Sequence, residues 1–305
     1  MALVKSGRVN IVITNRVLRY SYHKNASLDS LITYGELELP EGTIIDGKIG
    51  NKAVLKELVE QLVQSQKWKR KKLFFCVPDD TVVIRELSVP SALQPNEIKG
   101  YIKTQIGNSF HLPFDNPAID FELLDGGEQQ KILLFAYPND KLEPFISLFT
   151  QAGLRPEAAD FTSLSIYRYY YSKEHAKDND VLLVNWNKDS IVITAFNQHK
   201  AIFTRYRKLD FPVEIVDEIV ADRLIADQII EINRIIDFYQ YNITNGSSSI
   251  SRLIIGGDFP FLQQVKTELL SRVSIAVDLV DEIDKTHDTP AKYIDVLGLA
   301  LKEVT

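Results

Sequence analysis

Apolar positions change their period several times along the chain, and each change marks an element. Val9 to Thr14 and Val17 to His23 are β-branched, apolar-rich runs parted only by Asn15 and Arg16, which predicts two strands in a tight hairpin. A third strand follows at Leu31 to Leu39, ended by Pro40. From Asn51, a predicted helix cap, the apolar residues Val54, Leu55, Leu58, Val59, Leu62 and Val63 recur at helical spacing. The short apolar run Leu73 to Val77 then predicts a buried strand. The second half repeats this order: strands at Val181 to Trp186, Ser190 to Asn197 and Ala201 to Tyr206, a helical stretch from Pro212 to Tyr241, and a strand at Arg252 to Ile255. The length of that stretch suggests two helices, with Ile215, Ile219, Ile229, Ile232 and Ile236 on its apolar side. Another helix is predicted from Phe261 to Ser271.

Between the two repeats lies a segment that fits neither. Val82 to Val89 reads as a strand, Gln94 to Ile106 as a helix, Ala118 to Leu124 and Lys131 to Tyr137 as a hairpin across Gly126 and Gly127, and Lys141 to Ala152 as a helix. Two βββαβ units interrupted by a small α+β insert predict a duplicated α/β architecture.

Composition narrows the class. A chain of 305 residues with 45% hydrophobic and 25% charged side chains can bury a sizeable core. The 41 acidic and 35 basic residues leave a net charge of -6, which argues against a whole-surface attraction for nucleic acid. The single cysteine, Cys76, lies in a core-strand run, so no internal disulfide and no cysteine-cluster zinc site can form. Five scattered histidines (His23, His111, His175, His199, His287) lack ligand spacing, so no metal is expected. With no signal-like N-terminus and no membrane span, a cytoplasmic location is expected.

Three clusters stand out. The basic run Lys67, Lys69, Arg70, Lys71 and Lys72 around Trp68 reads as a solvated turn, a contact to an anionic membrane or partner, or, least of all, a nucleic-acid patch. Tyr167, Tyr169, Tyr170 and Tyr171 sit on one predicted helix, where packing against a lobe or a partner is needed to cover them. Ile98, Tyr101, Ile102, Phe110, Leu112 and Phe114 form an apolar set in the insert, read either as its core or as part of a groove.

Short strings in a fixed order carry a resemblance that runs from about Leu37 to the C-terminus. They include Leu39-Pro40-Glu41-Gly42, Ile45-Asp46-Gly47-Lys48-Ile49, Leu112-Pro113-Phe114, Ala152-Gly153-Leu154-Arg155-Pro156, Ile254-Ile255-Gly256-Gly257 and Leu297-Gly298-Leu299-Ala300-Leu301. In this order the chain resembles the PilM family, bacterial actin-like proteins of type IV pilus assembly that are themselves similar to FtsA. The resemblance implies an actin-like, ribonuclease H-like two-lobed fold. Residues 1–81, 151–178 and 291–305 would form the first lobe, 82–150 the inserted β-α-β-β-α subdomain and 179–290 the second lobe.

It also implies a cytoplasmic scaffold of pilus, competence or secretion assembly, a pseudo-ATPase rather than an enzyme. The scaffold would bind the short cytoplasmic N-terminal tail of a PilN-like inner-membrane protein, with the six apolar residues of the insert as the tail groove. A pilus motor ATPase and a second copy of the chain are further expected partners, and peripheral membrane association would come through the PilN-like protein.

A nucleotide site is implied at Thr14, Asn15, Asn185, Asn187, Lys188, Gly256, Gly257 and Asp258, but in degenerate form. Val12 and Asn185 stand where the family has aspartates that organise Mg²⁺, Thr14 and Asn187 where it has glycines, and Arg19 near its lysine. ATP with Mg²⁺ is therefore a doubtful cofactor, and weak binding without hydrolysis and a lost site stay open. The rival readings are an ATPase or sugar-kinase-type phosphotransferase and an FtsA-like filament. The ending at Thr305, directly after the Leu297 to Leu301 helix, predicts no FtsA-like membrane anchor.

Overall fold

The computed structural model describes residues 7–124, 130–174, 180–209, 218–282 and 290–303. The predicted turn at Gly126-Gly127, the start of the long helix at Pro212 and Ile215, His175 and His287 fall outside them.

The first hairpin forms as read. β1 (Arg8–Ile13) pairs antiparallel with β2 (Val17–His23) across a two-residue turn closed by Thr14 N donating to Val17 O at 2.9 Å. β3 (Leu31–Glu38) continues the meander, and a small hairpin of β4 (Ile44–Ile45) and β5 (Lys48–Ile49) leads to α1 (Lys52–Ser65). Asn51 caps α1, its side-chain oxygen accepting from Val54 N at 3.2 Å. β6 (Lys72–Cys76) then joins β1 in parallel.

The insert follows as β7 (Val83–Val89), α2 (Pro95–Gln105), β8 (Pro117–Leu124) and β9 (Gln130–Pro138), with β9 in the middle of an antiparallel three-stranded sheet. α3 (Asn139–Gln151) buries Phe145, Leu148 and Phe149 in the core beneath the first sheet, and the Phe149 ring lies 5.2 Å from that of Phe75. The helix is a layer of the first lobe, so we propose residues 83–138 as the insert.

β10 (Arg155–Asp160) closes the first sheet, whose order is β10-β6-β1-β2-β3. The sequence pattern hides this strand, because Pro156 and two alanines offer little apolar signal and a bulge interrupts its pairing between Pro156 and Ala158. After α4 (Thr162–Glu174), the second lobe repeats the scheme with β11 (Asp180–Trp186), β12 (Ser190–Asn197) and β13 (Lys200–Lys208). α5 (Glu218–Phe238), β14 (Arg252–Gly256), α6 (Leu262–Arg272) and β15 (Ala276–Leu279) complete it in the order β13-β12-β11-β14-β15. The expected break in the long helix does not occur within the described residues. Ile225, Ile229, Ile232 and Ile235 bury along one continuous face, and α5 runs on into a π-type turn at Tyr239–Ile243.

α7 (Ile294–Leu299) returns between the two sheets. Tyr293, Val296 and Leu299 face Val12, Phe74 and Cys76 of the first sheet, while Ile294 and Leu297 join α4 against Val181, Leu183 and Ile254 of the second. Gly298 allows the crossing, since a Cβ there would stand 1.9 Å from the Ser165 carbonyl oxygen. This sandwich explains the tyrosine run: Tyr167, Tyr169 and Tyr170 are buried, and only Tyr171 is exposed. Cys76 is buried and unpaired, a packing residue.

Candidate functional site

Two concave regions lie where elements of different layers meet. The first is the cleft between the two hairpin turns. Thr14 Oγ1 accepts from Arg16 N and Val17 N, so its hydroxyl serves its own turn. Asn15 Oδ1 accepts from Gly47 N at 3.2 Å, which fixes the β4–β5 turn above it. Across the cleft, Asn187 N donates to Ser190 O at 2.8 Å and Lys188 N to Asp258 Oδ1 at 2.9 Å. Gly257 has φ of +117°, and a Cβ there would stand 2.0 Å from the Trp186 carbonyl oxygen, so only glycine lets the two turns touch.

Arg19 fills the space between the lobes. Its guanidinium is buried, its Nε lies 2.9 Å from Glu36 and one terminal nitrogen 3.0 Å from Asp295, and the other terminal nitrogen pairs with Asp258. Lys292 adds a second cation to Glu36 at 2.8 Å. These partners come from β3, the turn after β14, and α7, so one side chain ties both lobes and the helix between them.

Six of the eight sequence-predicted residues line two small cavities here, and Lys188 and Asp258, bonded to each other, line neither. Thr14, Asn15 and Asn187 line one of about 20 Å³, together with Asp79, Asp80, Asp189 and Tyr206. Asn185, Gly256 and Gly257 line another of about 10 Å³ beside Arg19. Each has room for about one water. Val12 is packed against α7, and Asp258 is engaged by Arg19 and Lys188. The space left in either cavity is far smaller than a nucleotide. Among the described residues no group of three or more His, Cys, Asp or Glu side chains could hold a metal ion.

The sequence did not single out Asp79 and Asp80. Burial pushes the Asp79 carboxyl up to about 7, although Thr162 N donates to it at 3.2 Å. Burial likewise raises Asp80, partly offset by its ion pair with Lys141 on α3. Only their position after a core strand, at a chain reversal, marks these acids in the sequence.

The second region is larger, a groove of about 770 Å³ beneath the insert. Its floor holds Phe135, Tyr137 and Phe161, with ring centroids 6.3 and 6.4 Å apart. Its walls are β8, β10, α4 and the β12–β13 turn with His199 and Lys200. Lys200 pairs with Glu122 across the opening, linking the second lobe to the insert. Tyr167 Oη lies 2.9 Å from His199 Nδ1. None of the six apolar insert residues named from the sequence lines this groove. Ile98 and Ile102 are fully buried between α2 and the insert sheet, with Tyr101 and Phe110 against them, and Leu112 and Phe114 are half-buried in the loop that follows.

Two five-stranded sheets of one connectivity with a helix pair between them make this an actin-like ATPase fold. A Bacteroides thetaiotaomicron protein described as having that fold and unknown function matches with a TM-score of 0.55 and 11% identity, covering 98% of this chain and 97% of that one. The cytoplasmic domain of EpsL, an inner-membrane component of the Vibrio cholerae type II secretion system, matches at 0.53 and 9% identity, with 98% and 97% covered. A PilM-PilN type IV pilus biogenesis complex, at 15% identity, matches with a TM-score of 0.78 over 97% of this chain and 98% of that one. Residues 17–210, more than half of the chain, fit the family described as type IV pilus assembly protein PilM. The chain belongs to that family. No curated protein matches it.

Proposed function

We propose that this protein is a scaffold of type IV pilus assembly that docks the cytoplasmic N-terminal tail of a PilN-like inner-membrane protein in the groove beneath the insert. The observation that carries the reading is the pair of open strand edges there. β10 ends the first sheet and β8 ends the insert sheet, and both line the groove. Asp160 O accepts from Val77 N of the chain after β6, so by alternation Ala159 turns its N–H and C=O outward. An extended segment laid along such an edge gains main-chain hydrogen bonds, while the aromatic floor takes alternate side chains. Family membership and the name of the PilM-PilN complex support the choice of partner. A PilN-like partner would bring it to the membrane; among the described residues no helix is long and apolar enough to cross a bilayer.

Titration calorimetry with the tail peptide of the PilN-like protein from the same organism tests this reading. Wild type binds the peptide. Ala159→Pro, which removes an outward donor without touching the bonds to β6, weakens binding at least about tenfold. Phe135→Ala does the same by emptying the floor. An unbound peptide, or one that binds both variants like wild type, contradicts the groove.

A further inference from the structure

We infer that the loop between α1 and β6 is a docking face for an anionic lipid surface. Five of the six residues from Lys67 to Lys72 are basic in a chain of net charge -6. Lys67, Lys69 and Arg70 are exposed and have no ion-pair partner among the described residues. Arg155 extends the same patch, its N–H donating to Lys71 O at 2.9 Å.

The loop is built rigidly to present these charges. Trp68 is buried between Tyr20 and Tyr22, at centroid distances of 5.5 and 5.9 Å, and Trp68 N donates to Val63 O at 2.9 Å. Arg70 N donates to Gly153 O at 2.7 Å, pinning the loop to the start of β10. Lys67 and Arg70 have φ of +58° and +65°, the left-handed region that glycine or asparagine occupies at lower cost. A lysine and an arginine at both positions give up conformational ease and gain two outward cations.

The buried Trp68 decides between polyanions. Single-stranded nucleic-acid sites pair cations with exposed aromatic faces for stacking, and this loop exposes charge alone. A bilayer needs only a local cluster of cations on one end of a protein, each attracted to an anionic leaflet. The patch also borders the groove. Lys72 Nζ and Arg155 Nη2 each lie 3.7 Å from Oε1 of Glu157, a groove-lining residue. Resting on the reading above, a tail that arrives from a membrane brings this patch to the lipid surface.

Co-sedimentation without any tail peptide tests the patch separately. At low salt the protein pellets with vesicles containing phosphatidylglycerol, stays in solution with pure phosphatidylcholine, and is released as salt rises. The triple variant Lys67→Asn, Lys69→Gln, Arg70→Asn puts asparagine where φ is positive and so keeps the loop. It lowers vesicle affinity about 100-fold, at about fivefold per charge, and leaves tail-peptide affinity in solution unchanged. No binding by wild type to phosphatidylglycerol vesicles at low salt overturns the proposal, as does vesicle binding by the triple variant equal to wild type. Release by inorganic phosphate beyond that of chloride at matched ionic strength would mark a phosphate site instead, and tighter, charge-dependent binding of a single-stranded oligonucleotide a nucleic-acid site. Either result overturns the lipid assignment.

Discussion

The cleft between the lobes and the groove beneath the insert are both seams between layers, yet one is closed by the chain's own charges and the other is open. In the cleft, Arg19 is held by Glu36, Asp258 and Asp295, and the remaining cavities have room for about one water each. In the groove, about 770 Å³ is bordered by two strand edges and an aromatic floor. The seam between the lobes is closed around an internal ion-pair network, and the larger open space lies beside the first lobe.

Removing the bolt breaks this contrast most severely. Arg19→Ala leaves Asp258, Asp295 and Glu36 facing one another in a buried seam, and is expected to cost about 3–5 kcal/mol in urea unfolding. Gly257→Ala forces a Cβ into the Trp186 carbonyl and parts the two turns, at about 2–3 kcal/mol on the same scale.

Asp79 gives a smaller, pH-dependent effect. Its folded carboxyl titrates at about 7, above the ordinary carboxylate value, so the folded state binds its proton more tightly than the unfolded chain. The stabilisation is fully present at acid pH, below the unfolded value, and is lost as pH rises through about 7. Asp79→Asn is expected to flatten that decline and to stabilise the protein above pH 7 by on the order of 1 kcal/mol, read from thermal melts across pH. The smallest change belongs to the groove's rim: Lys200→Ala removes a half-exposed ion pair to Glu122 and should shift stability by less than about 1 kcal/mol.

The same contrast separates what the sequence made legible from what it did not. Period and β-branching located β1, β2, α1, β11 and β12 nearly to the residue, because these elements are central and their pattern is dictated by burial on one or both faces. β10 and β15 escaped, being edge strands with little apolar signal, and β10 pairs with a strand far away in sequence. The cleft residues were legible only through the family resemblance, which assigns them to turns that follow predicted strands. Arg19's role as a hub was not, since its partners Glu36, Asp258 and Asp295 lie up to 276 positions away in the chain. The candidate groove residues Ile98, Tyr101, Ile102, Phe110, Leu112 and Phe114 are those whose apolar spacing is conspicuous in the sequence. That spacing belongs to the insert's own core, at least for Ile98 and Ile102, whereas an open strand edge leaves no mark on side-chain pattern.

Amide hydrogen exchange on the protein with and without the PilN-like tail peptide tests the central contrast most directly. New protection is expected at β10 around Ala159 and along β8, with no change in the cleft turns at Asn185 to Ser190 and Gly256 to Asp258. Protection confined to those turns, or to α2 around Ile98 and Tyr101, would contradict it.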